Sequence, residues 1–396
     1  MSRTVAVVGG GIGGLTAAVA LLRAGLDVRV YEQAPRVSSV GAGIQLAPNA
    51  TRVLARLGLL PAAERVAVRP TVFEFRRWDD GRVLSRTPLG ESVERAYGAP
   101  HLTIHRADLV RLLAEALPAD RVEVGRRCVG VDRRGTPPQV LFADGSRVGA
   151  DVVVGADGIH SGVRQELFGV EDARFTGHVA YRGLVPAARL EDLQLGRRCT
   201  VWLGPGSHVV HYPVAASRLL NVVCVTEERS WRRESWTDRA DPAELRAAFR
   251  GWHPVVREIV DALDAPSKWA LFDRAPLPRW GAGAVALLGD ACHPMLPYGA
   301  QGYAQAVEDA AVLAACLAAR GRDVPTALDR YAALRRDRAS RVAAISRGNG
   351  VRFHLPDGPL QQARDAAMAA SFGLSPDIDW LYGTEVDAHD VVAALD

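Results

Sequence analysis

Continuous apolar runs, helical spacing and strict alternation succeed one another along this chain. The β-branched run 4–8 gives way to an Ala/Leu-rich run over 15–22, and a second short run, 26–31, ends in Glu32. That order predicts strand, helix and strand, with both strands buried on two faces as in a parallel sheet. Apolar runs of the same kind recur at 151–155 and 285–290, each followed by glycine and an acid. Leu109, Leu112, Leu113 and Leu117 fall at helical spacing. Residues 69–78 alternate, 79–81 read Asp-Asp-Gly, and 82–85 return, which predicts a hairpin. Residues 122–131, 139–142 and 146–149 predict an antiparallel meander.

From 175 to 226 the period becomes two, with strands expected at 179–184, 199–203, 208–212 and 219–225 and turns at 204–206 and 215–217. Helices are expected at 51–57, after a Pro48-Asn49-Ala50 cap, and at 243–249, 255–263, 302–319 and 326–342, with a breaker at 356–359. The fold class is therefore α/β: a Rossmann-like, discontinuous nucleotide-binding domain, an inserted antiparallel-sheet substrate domain, and C-terminal helices. The expected division is 1–75, 99–174 and 270–325 for the first, 76–98 and 175–269 for the second, and 326–396 for the third.

Composition narrows the class without changing this picture. Of 396 residues, 48 are Lys or Arg and 45 are Asp or Glu, and the signs are interspersed, so no basic footprint points to nucleic acid or a membrane surface. Five scattered cysteines, Cys128, Cys199, Cys224, Cys292 and Cys316, form no Cys-x-x-Cys pair, which argues against a disulfide framework and against a zinc site; no metal is expected. The first strand begins too early for a signal peptide, and no apolar run reaches the ~20 residues of a membrane span. A cytoplasmic protein is the expectation, and a homo-oligomer is compatible with the sequence.

The opening turn carries the first chemistry. Gly9, Gly11 and Gly14, with Gly13 between, match Gly-x-Gly-x-x-Gly. Gly9 permits the tight turn, Gly11 lets the backbone approach a pyrophosphate, Gly14 lets the helix pack on the sheet, and Glu32 stands where a ribose hydroxyl is bound. This motif leaves FAD and NAD(P) both open. Two further motifs follow at a distance: Gly155-Ala156-Asp157-Gly158 with Ser161 and Arg164, and Gly289-Asp290 with His293-Pro294 and the loop 297–302. Alone, Asp157 reads as a turn acid and Asp290 as a strand cap.

In this order the three motifs resemble the class A flavoprotein aromatic hydroxylases. That resemblance covers nearly the whole chain and implies FAD as cofactor, NAD(P)H held transiently as co-substrate, and O2. It implies that Asp157 serves FAD and NAD(P)H and that Asp290 meets the flavin ribityl chain. It further implies oxygen transfer to an electron-rich ring from a flavin C4a-hydroperoxide. No second Gly-x-Gly-x-x-Gly follows a strand, in agreement.

Pro88-Leu89-Gly90-Glu91, Thr103-Ile104-His105-Arg106, Trp252-His253-Pro254 and Pro276-Leu277-Pro278 to Pro294 are similar to the 6-hydroxynicotinate 3-monooxygenase group, a relative of salicylate and 3-hydroxybenzoate hydroxylases. This resemblance implies Arg106 beside the flavin and Cys128, Ala300, Gln301 and Gly302 among the cofactor positions. It also implies Cys199, His208 and Tyr212 on the floor of a pocket for a small aromatic carboxylate. His208 and Tyr212, four apart on one strand, share a face. Where the group carries histidines this chain has Gln45 and Tyr298; Gln45 cannot change charge, and a tyrosine hydroxyl titrates near ~10.

The implied substrate has its hydroxyl para to the carboxylate, as in 6-hydroxynicotinate or 3-amino-4-hydroxybenzoate; salicylate- or 3-hydroxybenzoate-type hydroxylation is the alternative. A flavin-binding redox module without catalysis is the rival from another class. The halogenase signature Trp-x-Trp-x-Ile-Pro is missing.

Overall fold

The computed structural model describes residues 2–37, 42–170, 173–228, 240–319, 323–370 and 376–383. Two sheets organise it. Thr4–Val8 lies at the heart of a six-stranded sheet, between Val152–Gly155 and Asp27–Glu32 and parallel to both. Val285–Leu287 extends the parallel run beyond Val152–Gly155, and Val122–Val124 beyond Asp27–Glu32. Gly281–Ala282 closes one edge antiparallel. The valine-rich strands are buried on both faces because the helix Ile12–Arg23 packs on Gly302–Ala318 against the sheet.

The stretch 122–131 is not one strand. Val122–Val124 joins the parallel sheet, Gly125 turns at φ 72°, and Cys128–Asp132 begins a three-stranded meander with Gln139–Phe142 and Arg147–Gly149. Both pieces are apolar at alternate positions, so periodicity could not show the break.

The second sheet has seven strands in the order Ser267–Asp273, Arg174–Pro186, Leu219–Glu227, Ser207–Val214, Arg198–Gly204, Val72–Arg77, Val83–Pro88. The expected hairpin forms its last two strands, and the contact between Arg198–Gly204 and Val72–Arg77 is its parallel pairing. The boundary placed between 75 and 76 falls inside Val72–Arg77, and the one between 269 and 270 inside Ser267–Asp273. Helices Pro242–Ala248 and Pro254–Asp261 cover one face of this sheet over Trp202, Val209 and Val222. The other face looks toward the first domain across the small ribbon of Gly43–Leu46 and Leu102–His105.

The final long helix runs Val324–Phe353, eleven residues past its expected end at 342. Its buried stripe continues through Ala343, Ser346, Gly350 and Phe353, mostly small residues that carry little hydrophobic signal. Helix Pro48–Arg56 begins at the residues expected to cap it, because proline suits the first turn. Leu60–Val66, Glu91–Tyr97, Gly162–Phe168, Pro359–Ala370 and Pro376–Gly383 are helices the periodicity left unmarked. Gly41 and the acidic tail 384–396 lie outside the described residues.

Candidate active site

Cross-strand register assembles the site. In the seven-stranded sheet Val201 pairs with Val210 and Leu203 with His208, and Cys199 packs with Tyr212 in one apolar cluster, so Cys199, His208 and Tyr212 project from one face. His211 falls on the opposite, helix-covered face, where its Nε2 accepts from Trp202 Nε1 at 3.1 Å. His208 and Tyr212 are ~13 Å apart along the strand, with Val210 between them. They cannot both touch one substrate atom; they stand at two ends of a floor.

Tyr298 stands over the His208 end. Its ring centroid is 5.4 Å from that of His208, and a side chain at Gly350 would come within 2.8 Å of the Tyr298 ring, so a glycine is needed there. Its hydroxyl is buried with no hydrogen-bond partner among the described residues. At the Tyr212 end, the Gly43 amide donates to Asn221 Oδ1 at 2.7 Å, and a Cβ on Gly43 would lie 2.7 Å from the Tyr212 ring. Gln45 shares the side of its strand with Gly43 and is buried.

The floor is electrically quiet. Burial raises the Cys199 thiol and the Tyr212 and Tyr298 hydroxyls, keeping all three protonated. Burial, helped by His178, lowers His208 to about 3, so its imidazole is neutral. Two histidines that sequence reasoning missed join it. His208 Nδ1 lies 2.7 Å from His354 Nε2, and the His354 ring centroid is 4.5 Å from that of His178, the two rings tilted by 35°. His354 sits just beyond a helix and His178 on a distant strand, so no local spacing announces either.

The cofactor positions form a second group. Gly9 has φ 109°, and a Cβ at Gly14 would lie 2.0 Å from the Gly9 carbonyl oxygen, so turn and helix interlock through glycine. At Gly11 a Cβ would meet nothing within 4 Å, leaving open space beside a helix start that has no side-chain cap. Gly13 packs on Leu288 and Ala306. Glu32 accepts from the Gly10 and Ala34 amides at 2.6 and 2.8 Å.

A model of an FAD binding domain matches residues 2–346. The chain is 48% identical over 381 residues to 3-amino-4-hydroxybenzoate 2-monooxygenase of Streptomyces platensis, covering 96% of each chain. It is 41% identical over 354 residues to 6-hydroxynicotinate 3-monooxygenase of Pseudomonas fluorescens, covering 88% of this chain and 91% of that one. The solved substrate complex of a salicylate hydroxylase superposes with a TM-score of 0.84 at 30% identity, over 97% of this chain and 96% of that one. The chain belongs to the FAD-binding family of flavoprotein hydroxylases.

The residues of this flavoprotein fit the cofactor. Open space at Gly11 and the uncapped helix suit a pyrophosphate. Arg106 has its Nε buried without a partner, and its guanidinium lies 5.6 Å from the Tyr303 ring centroid. Asp290 is open to solvent yet deep in the groove, and that surrounding protein raises its carboxyl. A Cβ on Gly302 would be 4.0 Å from Asp290 Oδ1, so the loop and the acid are neighbours. Ala300 takes φ 51°, and Gln301 accepts from Asn49 Nδ2 at 3.0 Å, so the Gln301 side-chain oxygen holds the loop.

The Asp157 and Cys128 side chains are engaged by the protein itself. Ser161 Oγ donates to Asp157 at 2.5 Å and the Val163 amide at 3.2 Å, so the carboxylate anchors Gly162–Phe168, although its backbone borders Gly9. Burial pushes the Cys128 thiol up to about 11, and Sγ donates to the Gly130 carbonyl.

Behind the loop lies a buried ionic network. Arg335 bridges Glu308 and Asp309 at 2.5 and 2.7 Å, and Asp309 also meets His293 Nε2 at 2.5 Å and the Gly289 amide. Burial opposes charge on His293, but the Asp309 carboxylate overcomes it and holds the imidazole protonated. Cys292, His293 and Asp309 bring donor atoms within 4.8 Å of one another, and the network already engages the Asp309 carboxylate. None of the helices among the described residues is long and apolar enough to cross a membrane.

Proposed function

We propose that this flavoprotein hydroxylates a small aromatic carboxylate whose ring hydroxyl lies para to the carboxylate, of the 3-amino-4-hydroxybenzoate class, with NAD(P)H and O2. The observation that carries this is the shared face of Cys199, His208 and Tyr212 under Tyr298. The similarity to enzymes named for 3-amino-4-hydroxybenzoate and 6-hydroxynicotinate supplies the substrate class, since both molecules have that para arrangement. FAD, when bound, takes hydride from the nicotinamide and activates oxygen; Gly9, Gly11, Gly13, Gly14 and Glu32 hold its ADP half, while Arg106, Asp290, Ala300, Gln301 and Gly302 hold its flavin end. Asp157 borders the FAD turn through its backbone beside Gly9, and Cys128 is left without a part in holding FAD.

The chain's own part is position, dryness and proton control. A buried floor of Cys199, Val210 and Tyr212 excludes water from a flat ring. His208 is too weak a base to keep a proton, so it passes the phenolic proton on: one nitrogen accepts while the other delivers to His354. Tyr298 offers an unpartnered hydroxyl at the same end, and Tyr212 with Gln45 offers two more polar groups at the other. Cys199 packs in the same cluster as Tyr212 and closes that end of the floor. We place the enzyme in the cytoplasm, where reduced nicotinamide is supplied.

The deciding experiment is product analysis with the FAD-loaded enzyme, NADH or NADPH, and 3-amino-4-hydroxybenzoate, 6-hydroxynicotinate and salicylate. The proposal expects a product from the amino acid that gains one oxygen and keeps its carboxylate. Acceleration by none of the para-hydroxy acids overturns it, and turnover of salicylate alone transfers the enzyme to the salicylate type.

A further inference from the structure

The floor of the site holds neutral groups, and the arginine Arg182 stands beside it. Arg182 pairs with Val223 in the seven-stranded sheet, which places its side chain on the same face as Val210, His208 and Tyr212. Its guanidinium carbon lies 4.7 Å from the Trp269 ring centroid, and its Nε is buried without a hydrogen-bond partner among the described residues. The charge reaches the site: Arg182 acts on the Tyr212 hydroxyl, pulling against the burial that raises it.

Arg77 on the same face shows what an arginine does here when acids are at hand. It bonds Asp79 at 2.9 Å and Asp357 at 2.7 Å, and Asp365 lies 3.7 Å away. Arg182 forms no ion pair with an acid among the described residues. A half-buried guanidinium stabilised by one aromatic face keeps most of its donors unused, and stacking on Trp269 orients the fork without occupying it. Cys199, Tyr212, Tyr298, His208 and His354 are all held uncharged, so none of them can neutralise it.

We propose that Arg182 is the carboxylate anchor of the substrate site, receiving the aromatic acid's carboxylate over Trp269 and thereby choosing acids over neutral phenols. The proposal rests on the aromatic-acid reading above and adds the residue that recognises the acid. It also sets the direction of the ring. Arg182 lies two strands from Ser207–Val214, ~10 Å across the sheet and level with Val210, so a carboxylate at Arg182 points the para hydroxyl toward that strand. The Trp269 face limits how far the acid end can slide outward.

The test uses the FAD-loaded enzyme and equilibrium binding read from the flavin absorbance, which needs no turnover. The ligands are 3-amino-4-hydroxybenzoate, its carboxamide and 2-aminophenol. The wild-type enzyme is expected to bind the acid more tightly than both neutral ligands. R182Q is expected to lose about 10- to 100-fold in affinity for the acid, with the neutral ligands changed less than about twofold. R182K, which keeps the charge without the fork, is expected to fall between them.

Equal losses for acid and neutral ligands in R182Q overturn the anchor, because they report a general defect of the pocket. So does unchanged acid affinity in R182Q. Should R182Q not take up FAD, the wild-type comparison decides: carboxamide bound as tightly as the acid overturns the proposal. Acid binding that needs Arg182, without any turnover, supports the anchor while defeating the hydroxylase reading.

Discussion

His208 Nδ1 lies 2.7 Å from His354 Nε2, which ties the floor of the site to the residue just beyond the longest helix. Two neutral imidazoles in contact move a proton as one unit. His208→Gln and His354→Gln are each expected to lower hydroxylation by about 10-fold or more, and the double variant to be little worse than His208→Gln alone. Rapid-quench product formation checks this. Losses that multiply in the double variant mean that the two act independently.

Tyr298 carries a buried hydroxyl with no partner. Tyr298→Phe therefore removes an unsatisfied group, and stability is expected to stay the same or rise by up to about 1 kcal/mol. Product formed per NAD(P)H is expected to fall, because oxygen transfer loses a polar group beside the ring. Thermal melting and product counting separate the two effects; full coupling in the variant removes Tyr298 from the chemistry.

Stability is expected to fall on acidification below about pH 6.5. Burial lowers His101 and His211 to about 4 each and His208 to about 3, so the unfolded chain binds more protons than the native one across this window. Each such histidine makes stability rise with pH by up to about 1.4 kcal/mol per unit there. His293 works in the opposite direction, since its raised value gives stability at low pH that is lost as pH rises through its native pKa. His101, with neither nitrogen bonded, is the cleanest probe: His101→Leu is expected to flatten the acid limb of a melting-temperature profile between pH 4 and 6.5. An unaltered profile contradicts a neutral buried His101.

Gly11 and Gly14 are three residues apart and are expected to fail differently. Gly11→Ala places a methyl in open space on a backbone with φ −75°, so the fold is expected to be kept while FAD affinity drops. Gly14→Ala drives a methyl to 2.0 Å from the Gly9 oxygen, with an expected cost of about 3 kcal/mol or more. Flavin retention and denaturant melts of both variants distinguish ligand space from packing space.

Arg335 sits between two buried acids, Glu308 and Asp309. Arg335→Met leaves both carboxylates without their shared cation and is expected to cost about 3–5 kcal/mol. Because Glu308 also accepts from Asn49, which holds Gln301, flavin binding is expected to weaken with it. A variant of wild-type melting temperature shows that Arg338 suffices for Glu308.

The sequence by itself determined the central parallel sheet, the interlocked glycine turn after the first strand and the shared face of His208 and Tyr212. These are local or periodic properties: β-branched runs, a spacing of six residues and a period of two suffice for them. The tertiary structure alone decided which strand lies opposite which. That is what puts Cys199 in one cluster with Tyr212, Arg182 beside Trp269, and His354 on a histidine 146 positions away. It also decided that the long helix continues to Phe353 through small residues, because Gly350 earns its place only when the Tyr298 ring is packed on it. A periodic pattern says which side of an element is buried; only the folded sheet and helix say against what.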